Sequence, residues 1–245
     1  NERIEVGGEP IADVARAALS DLDLLGALAS ERSPGAATAG RGRGMAAWRS
    51  LSALTARHLM LVGVSLAGAI LVALPLGLAL ERARRVAEPV IRAVGAVQTI
   101  PSIALLAFMI PLLGIGVVPA LVALLLYSLF PILRNTYTGI RDADPNAVSA
   151  ARALGMTPGQ LLRYVRLPLA SPVIMAGIRT AAVINVGTAT LAAFIGAGGL
   201  GDPIVTGLAL SDTGLILSGA LPAAALALLV DLALGGVERR LAART

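Results

Sequence analysis

Long uncharged apolar runs organise this chain of 245 residues. A helix needs about 20 apolar residues to cross the hydrocarbon core of a bilayer. Five stretches qualify, at about 59–80, 93–112, 117–133, 169–195 and 214–235. The second and third belong to one charge-free run of 41 residues, too long for a single helix. It breaks at Gly114-Ile115-Gly116, between Pro111 and Pro119. Only Arg179 interrupts the fourth run, and Asp231 lies near the end of the fifth. Helices are the predicted spanning element, because each backbone polar group must then be paired within its own segment. The runs do not alternate as barrel strands do. The expected fold class is an all-α membrane protein with about five transmembrane helices.

Arginine placement orients these spans. Arg82, Arg84, Arg85 and Arg92 follow the first; Arg134, Arg141, Arg152, Arg163 and Arg166 follow the third; Arg239, Arg240 and Arg244 lie in the tail. The links after spans two and four hold no arginine. Basic links stay in the cytoplasm, so the C-terminus is predicted inside and the N-terminus outside. Residues 1–57 carry seven arginines, which the rule tolerates at the end of a long translocated domain. The chain opens on Asn1 rather than methionine, as a fragment or processed form would. Residues 30–44 read as a flexible linker rich in glycine, alanine, serine and arginine. Residues 12–28 read as a short soluble helix led by Pro10, and Asp13, Asp21 and Asp23 argue against a signal peptide. The predicted organisation is 1–29, 30–57 as linker and pre-membrane segment, and 58–241 as the transmembrane domain.

Composition narrows the chemistry. Hydrophobic residues make up 56% of the chain and charged ones 14%, with mean hydropathy +0.81, where a soluble domain carries roughly a quarter charged residues. There is no cysteine, and His58 is the only histidine, so thiol catalysis and multi-histidine metal sites are excluded. All twenty basic residues are arginines. Without lysine there is no Walker A grip on nucleotide phosphates. Any ATP used must therefore be bound by another chain; no cofactor, metal or nucleic acid is expected on this one, and no catalytic residues.

The most informative link lies between spans three and four, at 144–168. Asp144-Pro145 reads as an N-cap followed by proline at the first helical position. Gly155 is placed to end that helix, and Thr157-Pro158-Gly159-Gln160 starts a second with a capping box. The second helix is expected to run to Arg166 and stop at Pro168.

Ser149-Ala150-Ala151, Gly155 and Val165-Arg166-Leu167-Pro168 resemble the EAA loop of bacterial ABC importer permeases. The family pattern is E-A-A, three residues, G, nine residues, I-x-L-P, and the spacing agrees throughout. Ser149 stands where glutamate is usual and Val165 where isoleucine is. The runs Gln98-Thr99-Ile100-Pro101-Ser102, Leu129 to Tyr137, and Ile184 to Leu191 are similar to the osmoprotectant branch, which serves glycine betaine, choline and carnitine. The resemblance covers about residues 50–241. It implies a type I importer permease fold, and a coupling helix in which Ser149, Ala150, Ala151, Gly155, Val165, Leu167 and Pro168 meet cytoplasmic ATPase subunits. It also implies a second permease subunit, most simply a homodimer, and an extracytoplasmic binding protein or fused domain. Asn1–Gly26, with Val6-Gly7-Gly8 and Pro10 to Ala15, is similar to the last strand and helix of an osmoprotectant-binding protein. The alternatives are an unrelated tail or a true start at Met45.

Other residues carry two readings. Gly196-Ala197-Gly198-Gly199-Leu200-Gly201 matches a dinucleotide fingerprint, but a span precedes it and Leu221 sits where an acid is needed. Gly196, Gly198, Gly199 and Gly201 are read instead as a gate or packing turn at the outer mouth. Arg179 either snorkels to the interface or pairs with Asp231. Asn185, Thr188 and Thr190, with Gln98, Thr99 and Ser102, either line a substrate pathway or hydrogen-bond neighbouring helices. Phe108, Tyr127, Phe130 and Phe194 are scattered over three spans. A cation–π cage within the membrane is therefore not expected, and selectivity is assigned to a binding protein.

Overall fold

A computed structural model describes residues 36–243, with side chains from residue 50 onward. The chain divides into two units, Asn1–Ser50 and Leu51–Thr245. The expected strand and helix before residue 30 lie outside the described residues.

Among the described residues the fold is helical throughout. The elements are α1 (Ala36–Arg82), α2 (Arg84–Val97), α3 (Ser102–Leu113), α4 (Val117–Arg141), α5 (Pro145–Ala153), α6 (Pro158–Leu161), α7 (Leu167–Leu191), α8 (Gly201–Leu210) and α9 (Thr213–Ala242). Four helical stretches are long and apolar enough to cross a membrane: Ser50–Arg82, Val117–Arg141, Pro158–Ile195 and Thr213–Ala242. The candidate for the fifth span is the broken pair α2–α3, which passes the same test only as a pair and is bent by 89°.

Several boundaries differ from the sequence reading. Helix begins at Ala36, inside the stretch read as linker, where Ala36, Ala37, Ala39, Ala46 and Ala47 favour it. Span two is not one straight helix over 93–112. Pro101 has no N–H to give and disfavours a helical Ile100, so the axis turns there. Helix α3 has 12 residues, about 18 Å, and cannot span alone. Pro168 does not stop the second helix of the link. A π-helical turn at Leu162–Arg166 carries it directly into α7, with the Leu167 N–H reaching back to the Leu162 carbonyl. The wider turn absorbs the clash and the missing donor that proline brings to an α-helix.

Helix α4 is the centre. One cluster packs Leu61, Leu106, Leu124, Tyr127, Val186 and Ile195; a second packs Ala73, Leu80, Ile91, Ile132, Leu133 and Ala181. Helix α7 lies along α4 on one side and α9 on the other, and α8 packs on α9. Small residues set the spacing: a Cβ on Gly177 of α7 would sit 2.7 Å from the Pro131 carbonyl oxygen of α4. Such close approach replaces the hydrophobic drive that is absent between helices in lipid. Tyr127 of α4 holds the segment between α2 and α3 at two points. Its carbonyl accepts from Gln98 Nε2 at 2.8 Å, and its hydroxyl donates to the Ile100 carbonyl.

Candidate functional site

The link between α4 and α7 folds as a capped helix–turn–helix. The Asp144 carboxylate accepts from the Asn146 N–H at 2.9 Å, with Pro145 in the first turn. Gly155 takes φ +80°, a conformation that costs residues with a Cβ. It lets the Met156 N–H return to the Ala151 carbonyl at 3.2 Å. Thr157 and Gln160 complete the capping box, the Thr157 N–H donating to Gln160 Oε1 at 2.9 Å. Val148, Ala151 and Leu161 form a small core, with Met156 and Val165 packed on it. Ser149, Ala150 and Gly155 are exposed, and Leu154 is 81% exposed. Leu167 is half-buried and Pro168 exposed. The motif positions thus divide, Ala151 and Val165 building the unit while Ser149, Ala150 and Gly155 present its surface. Leu154, which the motif spacing passes over, is the most protruding apolar group of the loop.

This unit is fixed to the membrane helices at two points. The continuous helix Pro158–Ile195 has 38 residues, about 57 Å, nearly twice the hydrocarbon thickness. Arg166 also donates to the Glu81 carboxylate at the end of α1, and Arg84 donates to the same carboxylate at 2.9 Å.

The polar residues predicted within the spans fall in two places. Gln98, Thr99 and Ser102 lie at the α2–α3 break; Thr99 is exposed, its hydroxyl bonded to the Ala96 carbonyl at 2.7 Å, and Ser102 is half-buried. On α7, Asn185 is fully buried and donates from Nδ2 to Ser65 Oγ of α1 at 2.9 Å. Thr188 and Thr190 are half-buried, and Thr190 bonds the Gly187 carbonyl at 2.7 Å. Thr180, Ile184 and Gly187 share an exposed face of α7 at helical spacing, with Thr188 beside it.

The glycine turn after α7 is a structural knot. Gly196, Gly198 and Gly199 have φ of +73°, +82° and +96°. A Cβ on Gly201 would lie 1.9 Å from the Thr190 carbonyl oxygen. The Gly116 N–H donates to the Ile195 carbonyl at 2.8 Å, and Arg57 Nε donates to the Ala197 carbonyl at 3.2 Å. His58 Nε2 lies 3.0 Å from the Val186 carbonyl oxygen. The turn therefore binds the middle of α1, at Arg57 and His58, and the α3–α4 corner to α7. Beside it, burial pushes the Asp202 carboxyl up from its ordinary value, while Arg57 opposes the shift.

Arg179 forms an interhelical ion pair rather than standing alone. Nε and Nη2 donate to the two Asp231 oxygens at 2.6 and 2.7 Å, and Nη1 donates to Glu238 at 3.1 Å. Glu238 lies two turns beyond Asp231 on the same face of α9; that spacing was readable in the sequence, as was Ser65 alone in the apolar run of α1.

Comparison with known proteins agrees with this architecture. Residues 69–244 match the family described as binding-protein-dependent transport system inner membrane component. Over 187 residues the chain is 50% identical to the choline transport system permease protein OpuBB of Bacillus subtilis, covering 76% of this chain and 86% of that protein. It is also 50% identical, with the same coverage, to the glycine betaine/carnitine/choline transport system permease protein OpuCB of that organism. The fold resembles a chain of the MetNI methionine ABC transporter in an inward-facing conformation. The TM-score is 0.69 and the identity 24%, covering 78% of this chain and 95% of that one. With its α-helical spans and its match over most of its length, the chain belongs to the family of binding-protein-dependent inner-membrane transport components, the multi-pass permeases of ABC importers.

Proposed function

We propose that this chain conducts quaternary ammonium osmoprotectants such as glycine betaine, choline or carnitine inward across the membrane, in a complex whose ATPase subunits dock on residues 144–168. The coupling unit carries this reading: a capped helix–turn–helix that exposes Leu154 and is continuous with a membrane-crossing helix. Burying one leucine side chain against a partner contributes about 1.5–3 kcal/mol, and the continuous helix transmits displacement of the docked loop to α7. Alternating access follows. Closure of the ATPase dimer moves the coupling loops and opens the spans outward; hydrolysis restores the inward-facing state.

Two copies of this chain form the pathway in this reading, with the N-terminus outside and Thr245 in the cytoplasm, and residues 1–29 end an extracytoplasmic binding domain. The exposed face of α7 around Thr180, Gly187 and Thr188, with Thr190, Gln98, Thr99 and Ser102, lines the path. Asn185 supports it from behind. Gly196, Gly198, Gly199 and Gly201 set the outer end. Discrimination belongs to the binding protein: a desolvated cation–π contact contributes about 2 kcal/mol, and micromolar affinity takes about 8 kcal/mol. In the protomer, Phe108 and Phe194 are exposed, whereas Tyr127 is buried.

The test is ATP-driven uptake by proteoliposomes holding the permease, its ATPase and its binding protein. Labelled choline, glycine betaine and carnitine are supplied, and each is used to compete with the others. Uptake of at least one, competed by another, is expected. ATP-driven transport of an unrelated solute, with none of the three taken up or competing, would overturn the assignment.

A further inference from the structure

Where the charge-free run of α1 ends at Leu80, an open cavity of about 350 Å³ lies between the chain and the coupling unit. That volume is at the small end of the range for ligand pockets. Four arginines, Arg82, Arg84, Arg152 and Arg166, line it together with a single acidic residue, Glu81. Arg84 and Arg166 both bond one oxygen of that carboxylate. Arg82 and Arg152 make no ion pair among the described residues. Three positive charges are left uncompensated around one concave space. Like charges so placed repel one another unless an anion or bulk solvent screens them. Met156, Pro158, Leu161 and Leu162 of the coupling unit add apolar lining.

We infer that this cavity binds a phosphate group, and that its source is the headgroup of an anionic phospholipid. Guanidinium forks match phosphate oxygens in geometry as well as charge. A concave basic pocket at the cytoplasmic end of membrane helices suits an anionic headgroup, and the apolar lining residues suit the glycerol and upper acyl chain that a free phosphate lacks. One wall belongs to the α1–α2 joint and the other to the coupling unit. A bound headgroup therefore bridges Arg82 and Arg152 across them, a second tie beside the Glu81–Arg166 pair. Its place at the cytoplasmic end rests on the proposed orientation and not on the proposed cargo, and the binding measurement reads neither.

Delipidated permease–ATPase complex is titrated with short-chain phosphatidylglycerol, short-chain phosphatidylcholine and inorganic phosphate, and bound ligand is counted by native mass spectrometry. Phosphatidylglycerol is expected to bind at least tenfold more tightly than phosphatidylcholine. The pair Arg82→Gln and Arg152→Gln should remove that preference. Neither side chain has an ion pair to lose, so the fold should persist; an unchanged thermal unfolding midpoint checks this. Arg239→Gln with Arg240→Gln, elsewhere on the basic side, should leave the preference intact. Equal weakening by both pairs would reduce the effect to diffuse membrane charge and overturn the site. Binding of inorganic phosphate as tight as the lipid, lost with Arg82 and Arg152, would keep the phosphate site but overturn the lipid as its source. No difference between the wild-type complex and the Arg82/Arg152 variant would overturn both.

Discussion

Replacing Asn185 by alanine separates a supporting role from a lining role. Asn185 is fully buried, and among the described residues its one side-chain bond runs to Ser65 of α1 at 2.9 Å, with Ser65 in turn bonded to the Leu61 carbonyl at 2.7 Å. Interhelical hydrogen bonds in membranes contribute about 0.6 kcal/mol on average and up to about 1.7. The truncation also leaves a cavity in a packed site, so the total cost should be about 2 kcal/mol. At roughly 2–4 °C per kcal/mol for a chain of this size, the unfolding midpoint in detergent should fall by about 4–8 °C. A cycle with Ser65→Ala should give a coupling of about 0.6–1.7 kcal/mol. The substrate KM for uptake should stay within about twofold, because the amide meets no open space. Thr188→Ala should behave oppositely, changing KM while stability moves by no more than about 0.5 kcal/mol. A severalfold change in KM for Asn185→Ala with an unchanged midpoint would refute the supporting role.

Further outcomes follow from the same contacts. Gly201→Ala drives a methyl into the Thr190 carbonyl at 1.9 Å, so it should cost about 1–3 kcal/mol or prevent accumulation, read by midpoint and yield. Exchanging the charges, Arg179→Asp with Asp231→Arg, should restore part of the yield that Arg179→Asp alone loses; equal yields for the single and double variants would count against the pair. Single cysteines near the two ends, in a chain that has none, should react with an impermeant reagent from opposite faces, and labelling from one face would refute the odd number of crossings.

Much of this was legible because bilayers impose simple rules. Charge-free runs marked the spans, and Gly114 and Gly116 marked the α3–α4 corner with φ of +80° and +115°. Asp144, Gly155 and the Thr157–Gln160 box were readable because capping is local chemistry. What failed was helix continuity through proline. Pro101 lies where the chain turns by 89°, whereas Pro168 is carried through by a π-turn, and a proline in the sequence does not by itself distinguish these two outcomes. The Arg179–Asp231 pair was one of two readings because the sequence gives depth but not rotation of each helix. Leu154 escaped notice since the motif passes over it, and its importance lies in exposure, which a sequence does not display.

The central claim is that the 144–168 unit couples ATP hydrolysis to movement of the spans, and Gly155→Val tests it most directly. Gly155 holds φ +80°, and beyond its chain neighbours no atom lies within 4 Å of where a Cβ would stand, so a Cβ there meets backbone strain rather than a tertiary clash. Forcing a β-branched residue into the left-handed region costs about 1–2 kcal/mol or more, which should unseat the turn that presents Leu154. ATP hydrolysis and uptake are measured together in proteoliposomes holding the assembled transporter. The account predicts normal membrane insertion, persistent basal hydrolysis, and uptake reduced at least about tenfold. Uptake per ATP equal to that of the unaltered permease would contradict it.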